Sequence, residues 1–351
     1  MVESFDTTAA QSPVTSPAPG DQTSRAGTPG PTSIRLLNWG RYLSPETLQG
    51  FEAETGIRVD ETTINSNEEF IRRLSIGERY DVIIPEDWAA EVLIDAGLLQ
   101  PLDMRLLPNW EHVTQPYFQA PPYDSGADGV KYTSIFCFGT EGFAVRLDRI
   151  AMPRLTWQML YDPAYRGQIV MLDGSREVLG PALFLLASDP NTTDQSLLDA
   201  ATAMAATQRS LVTGYDTQGA AQSIIDGTPI VECWDGDVAA AITQGAPGIR
   251  YVLPAEGYRV WADAPCIPAN AFAPAAAHLF LNYLLEPRVA ARNADHSGYQ
   301  PVAPAADPLV RSLVQRSMRP TDEQIKAGTF LRDLGEFNAA FERSYAKVRG
   351  V

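Results

Sequence analysis

The chain reads as an α/β protein of two lobes, and three observations predict this. Short apolar runs alternate with helical segments through residues 34–139, the alternation returns through about 140–263, and both stretches end their strands in aromatic and acidic residues. Parallel β/α units place ligands outside the carboxyl ends of their strands. Trp39 in LLNWGRY and Trp88 in IIPEDW should therefore face one crevice.

Each element has its own signal. Ile34–Trp39 is an apolar run between Pro31 and Gly40, and Ser44 with Pro45 supply the N-cap and first position of a helix that carries Leu48 and Phe51 and stops at Gly56. Arg58–Ile64 alternates as a strand. Asn65 or Ser66 then caps a helix with Phe70, Ile71 and Leu74 on one face before Gly77. Tyr80–Ile84 is a third strand, and Pro85-Glu86-Asp87 places two carboxylates in the first turn of a helix closed by Gly97, where capping and the helix dipole already account for them. In the second lobe, strands are expected at Gln168–Leu172, Leu211–Tyr215 and Ile230–Trp234. Helices are expected at Arg176–Ala187, Asp194–Thr207, Ala220–Asp226 and Asp237–Thr243. The strand ends LDGSRE (172–177) and CWDGD (233–237) are again acidic and aromatic. Residues 258–272 leave this unit as a linker strand, and Ala275–Leu285 is apolar enough for a core helix. Two similar lobes with ligand-type residues on facing edges define a hinged clamp.

Composition narrows the function. A chain of 351 residues that is 45% hydrophobic can fill two cores. Its formal net charge of −16 argues against non-specific nucleic-acid binding, which needs clustered Lys and Arg, and suits cationic ligands. No apolar run approaches the ~20 residues of a membrane span, and PALFLLAS at 181–188 reads as a buried helix. Residues 1–33, with Pro13, Pro17, Pro19, Pro29 and Pro31 among Ser, Thr, Gly and Gln, read as a disordered tether. They hold no charged-then-apolar signal, so an exported protein whose signal segment is absent from this chain is one expectation and a cytosolic protein with a floppy start the other. Cys137, Cys233 and Cys266 form no CxxC, and His112, His278 and His296 recur at no metal-ligand spacing, so no metal or other cofactor is expected.

The strings NWGRYLSPETLQGFEAETGIRV, SNEEF, YDVIIPEDW, AGLLQPLD, TWQMLYDPAYRGQIVMLDGSREV, WDG, CIPANA and SGYQP occur in the order seen in the spermidine/putrescine-binding proteins of bacterial polyamine ABC importers. Across residues 34–351 the chain resembles that family. The resemblance implies a type II periplasmic binding protein fold: two α/β lobes, each a mostly parallel sheet flanked by helices, joined by crossing hinge strands. Lobe one is expected at 34–139 plus 264–307, and lobe two at 140–263 plus 308–351. The implied function is a non-enzymatic extracytoplasmic receptor, a monomer, that captures a polyamine or related amine in the cleft and delivers it to ABC permease subunits.

By the same resemblance, Trp39, Tyr42, Trp234, Trp261 and Tyr299 form an aromatic box around the ligand's methylene chain and ammonium groups, and Glu177 and Asp263 bind its amines. The chemistry agrees, because a cation over an aromatic face gains ~0.5–2 kcal/mol and a carboxylate can accept a charge-assisted hydrogen bond from an ammonium. Several positions depart from the family pattern. Arg41 replaces an acid, Gly174 a central carboxylate and Leu331 a distal glutamine, whereas Glu86, Asp87 beside it and Asp235 are new acids. Trp88 and Glu86 join the candidate ligand set through their strand end. Two readings of Arg41 stay open: a salt bridge with Glu86 that removes both from ligand chemistry, which is the preferred one, or a grip on the anionic group of a zwitterionic ligand.

Two further expectations concern cysteines. A cleft-cysteine transferase built on Cys137 is the competing enzyme class, although no activating histidine stands near it in sequence. Cys137 and Cys266 lie in strands that would be adjacent if the segments leaving and re-entering lobe one pair, which would permit a disulfide.

Overall fold

The computed structural model describes residues 31–124, 129–150, 153–312, 316 and 318–350. The proposed tether lies outside these as far as Gly30, and Ser33 already belongs to the first strand.

β1 (Ser33–Trp39) is flanked in parallel by β2 (Arg58–Ile64) and β3 (Val82–Ile83), giving the order β2-β1-β3. Ile34, Leu36 and Leu37 of β1 are fully buried, as expected of a central parallel strand covered on both faces. The connections are α1 (Pro45–Thr55) and α2 (Asn67–Ser75), and α3 (Asp87–Asp95) follows β3. A short α4 (Pro116–Gln119) comes next. Gly56 takes the left-handed conformation at φ 72° where α1 ends, and the Ser66 hydroxyl caps α2 by accepting from Glu69 N–H at 3.3 Å.

The second sheet is organised by β4 (Cys137–Arg146), whose ten residues are all buried. Its order is β10-β4-β7-β5-β6, with β8 and β9 on the other edge of β4. β5 (Ile169–Met171) runs parallel to β6 (Val212–Tyr215) and β7 (Ile230–Trp234), the three strands read from sequence. β8 (Ile249–Val252), β9 (Arg259–Asp263) and β10 (Gln300–Pro301) are antiparallel to β4, as is β7. Around this sheet lie α5 (Ser175–Leu185), α6 (Gln195–Gln208), α7 (Ala220–Ile225) and α8 (Asp235–Thr243). α9 (Pro274–Leu284), α10 (Pro287–Ser297), α11 (Asp322–Ala327) and α12 (Asn338–Arg349) complete the described helices. Trp157 is a packing residue: it is fully buried, and its indole N–H donates to the Gly257 carbonyl at 2.7 Å.

The segment after β9 stitches the two sheets together. Ile83 and Cys266 exchange backbone hydrogen bonds of 3.0 and 2.9 Å, and Ala264 N–H donates to the Pro85 carbonyl at 2.8 Å. The strands carrying Cys137 and Cys266 do pair, but their register corrects the disulfide expectation. Cys137 stands opposite Asp263, and Cys266 bridges Thr133. Four residues of strand then separate the thiols, ~13 Å at the usual rise, where a disulfide needs Cα atoms within ~7 Å. All three cysteines are free and buried.

Candidate ligand-binding site

Six chain segments converge on a cavity of about 740 Å³. From the parallel edge of the first sheet come Trp39 at the end of β1, Arg41 and Tyr42 in the following turn, and Glu86 and Trp88 where β3 leads into α3. The parallel strands of the second sheet contribute Glu177 in the first turn of α5 and Trp234 at the end of β7. Trp261 on β9 and Tyr299 before β10 close the box. Nine predicted residues therefore share one wall, because parallel strands point their carboxyl ends the same way.

The five box aromatics form a continuous chain of ring contacts. Trp39 lies 6.3 Å from Tyr42, Tyr42 5.6 Å from Tyr299, Tyr299 4.8 Å from Trp261, and Trp261 5.8 Å from Trp234, measured between ring centroids. The last three contacts are edge-to-face, the arrangement that the ring quadrupole favours. Two glycines make room for them. A Cβ on Gly139, directly opposite Trp261 across β4, would lie 2.6 Å from that indole, and one on Gly236 would lie 2.5 Å from the Tyr299 ring.

The acids sort differently from expectation. Asp263 and Asp235 are buried one layer beneath the cavity lining, at 0% and 1% exposure. Asp263 accepts from the Cys137 thiol at 3.3 Å, and Tyr42 supplies a second hydrogen bond. Burial and the nearby Glu86 charge push its carboxyl well above the usual range. Asp235 turns inward and accepts from Gly236 N–H at 3.1 Å, with burial pushing it up to about 8. Asp87 is likewise buried, accepts from Trp88 N–H at 2.7 Å, and is pushed up to about 7 by burial. The acid that does line the cavity beside Trp234 is Asp237, read from sequence as part of the acidic strand end CWDGD and as a helix start but not among the ligand residues. One of its oxygens accepts from Trp234 N–H at 3.1 Å, and burial pushes it up to about 7 against the pull of the Arg41 charge.

The preferred Arg41 to Glu86 salt bridge is absent, because a different arginine holds Glu86. Arg259, on β9, donates to Glu86 at 2.6 Å and to Glu177 at 2.7 Å, and lies 3.7 Å from Glu141. Its guanidinium also stands 5.2 Å from the centre of the Trp234 ring. Burial opposes its charge, but Glu86, Glu177 and Glu141 together hold the proton on more firmly than usual. Glu86 is further fixed by the Asn67 amide at 3.0 Å and the Trp88 indole at 3.2 Å, so its side chain does not cap α3. Sequence reasoning missed Arg259. The signal was the period-two spacing Arg259, Trp261, Asp263, which puts all three on one strand face.

Arg41 is exposed and, among the described residues, has no ion pair. Its backbone φ of 64° lies in the left-handed region that non-glycine residues rarely adopt, here at a turn that lines the cavity. The missing carboxylate at Gly174 has a steric counterpart: the Glu177 carboxylate folds back over Gly174 into the space a Cβ would need. Leu331 is buried at 2% exposure and contributes packing. Among the described residues no group of three or more His, Cys, Asp or Glu is placed to hold a metal ion. No described helix is long and apolar enough to cross a membrane. Burial raises the Cys137 thiol well above its ordinary range, the reverse of what a nucleophilic cysteine needs.

A cleft lined by aromatic faces and acids at the carboxyl ends of two sheets has the build of a small-solute binding site. The chain belongs to the bacterial extracellular solute-binding protein family, whose model matches residues 46–317. It is 30% identical over 323 residues to the spermidine/putrescine-binding periplasmic protein of Salmonella typhimurium, covering 90% of this chain and 91% of that one. A solved structure from Listeria monocytogenes, under the name of a spermidine/putrescine ABC transporter, is similar at a TM-score of 0.84 and 28% identity over 91% of this chain and 99% of that one. The spermidine/putrescine ABC transporter substrate-binding protein PotD of Streptococcus pneumoniae is similar at a TM-score of 0.78 and 25% identity, over 91% of this chain and 99% of that one. The type II periplasmic binding protein fold is thereby shared, and the chain is a solute-binding protein rather than an enzyme.

Proposed function

We propose that this protein captures a polyamine of the spermidine/putrescine class between its lobes, outside the cytoplasm, and presents it to the permease of an ABC importer. The observation that carries this reading is the unbroken ring chain Trp39, Tyr42, Tyr299, Trp261 and Trp234 over an acid-lined cavity of about 740 Å³. Stacked rings cover methylene groups without demanding hydrogen bonds, and their faces attract ammonium groups. The division into lobe one (34–139 and 264–307) and lobe two (140–263 and 308–351) is part of the proposal. Closure of the two would bury the ligand, with β4 and the strand through β9 to residue 266 as the crossing connections.

A thermal-shift panel tests it. Ligand that binds only the folded state stabilises by RT ln(1 + [L]/Kd), about 2.7 kcal/mol at a hundredfold excess over Kd. Putrescine, spermidine, spermine or agmatine should raise the melting temperature. A shift from a sugar or a metal ion with none from any amine would refute the reading. A zwitterionic amine keeps one observation in its favour, the exposed, unpaired Arg41 on the cavity wall. Amino acids and amino-sulfonates therefore belong in the panel.

A further inference from the structure

We propose that Arg259 determines ligand specificity by permanently filling the cation subsite formed by Glu86, Glu177 and Trp234, so that the cleft selects a short diamine over a longer triamine. The proposal rests on the amine-binding reading of the cleft. Two carboxylates from different sheets and an indole face are the groups that would receive a ligand's terminal ammonium, and all three are engaged by one guanidinium, at 2.6 Å, 2.7 Å and 5.2 Å. That guanidinium is only 4% exposed and lies behind the cavity lining, whereas Glu86 and Glu177 reach the cavity at 16% and 18% exposure, so a ligand ammonium arriving there meets carboxylates whose charge is already compensated. It is also held from behind: β9 pairs with β4 so that Arg259 lies opposite Glu141, whose carboxylate stands 3.7 Å from the guanidinium. Glu86 is anchored independently by Asn67 and Trp88, which keeps its carboxylate in place whether or not the arginine is there.

The consequence is a shortened trough. Its tethered cation neutralises the Glu86 and Glu177 end. Besides Glu86 and Glu177 the cavity wall carries Glu68, Asp173, Asp216, Asp237 and Glu342, and of these Asp237 stands at the aromatic chain, beside Trp234 and Tyr299, with Asp263 beneath. A diamine can set one ammonium near Asp237 and run its methylenes along the rings, whereas the additional ammonium of a triamine meets a carboxylate pair that the guanidinium behind it already neutralises.

Removing the guanidinium should open the subsite. Arg259→Ala leaves three glutamates without a counter-ion, so Arg259→Ala combined with Glu141→Gln is the working variant; it keeps Glu86 and Glu177 and removes one buried charge. Titration calorimetry on the wild type and this variant should show the spermidine-to-putrescine affinity ratio rising by about tenfold, equivalent to one good ion pair regained. Methylguanidinium, which can occupy the vacated space, should raise the variant's melting temperature and leave the wild type unmoved. An unchanged ratio overturns the proposal whether or not methylguanidinium acts. If the wild type binds no amine at all, the proposed function fails, and the methylguanidinium arm alone decides whether the three groups form a cation subsite: no stabilisation of the variant would overturn that too.

Discussion

The two ends of the cleft solve the same electrostatic problem in opposite ways. At one end Glu86 and Glu177, both half-buried, hold their own buried cation, Arg259, at 2.6 and 2.7 Å. At the other, Asp237 lies beside Tyr299 and Trp234, and Arg41, the cation whose charge acts on it, does not reach it as an ion pair. Burial of a charge is costly unless it is paired, so the first end is settled within the protein while the second relieves its cost by holding on to a proton. A bound ammonium would replace that proton. Acidity alone therefore does not mark a binding subsite; an acid without an internal counter-ion does.

The largest effect should come from breaking the compensated end. Arg259→Ala is expected to destabilise the fold by about 3–5 kcal/mol, since it leaves uncompensated carboxylates in a buried site, and urea denaturation measures it. A cost below that of an ordinary surface substitution would mean that the two ends are not different in kind.

Next in size is the uncompensated end. Asp237→Asn should weaken a diamine by about 1.5–3 kcal/mol in a calorimetric titration while leaving the ligand-free fold as stable or more so at neutral pH. The sign follows from its raised pKa. The folded state binds the proton up to about pH 7 and the unfolded state releases it near the ordinary carboxylate value, so the stabilisation is complete at low pH and is lost as pH rises through about 7. Asp87, pushed up to about 7, and Asp235, to about 8, act in the same direction. The ligand-free melting temperature should then fall between roughly pH 5 and pH 8, and diamine affinity should rise over roughly pH 6 to 8 as Asp237 ionises. A flat or rising melting curve over that interval would contradict these assignments.

The smallest effect belongs to Arg41. If the ligand is a polyamine, Arg41→Ala should leave affinity unchanged or improve it by less than ~1 kcal/mol, because an exposed like charge opposes a cation only weakly. A loss of ~2–5 kcal/mol, specific to a zwitterion, would instead make Arg41 a ligand group and move the protein to the other ligand class.

The sequence by itself determined the alternating plan and the place of the cleft. Period-two apolar runs, Pro45 and Ser66 at helix starts, and Gly56 at a helix end are local signals, and they put Trp39, Trp88 and Trp234 at strand ends without knowledge of any partner. Register and charge pairing were not legible in this way. Arg259 is separated by 82 and 173 residues from the glutamates it joins, and which of Arg41 or Arg259 reaches Glu86 depends on how β9 pairs with β4 and how its continuation meets β3. The same register set Cys137 against Asp263 and kept it from Cys266. Local sequence fixes which face a side chain takes on its own strand; only the tertiary ladder decides what stands opposite, and a shift of one residue would turn every partner to the other side.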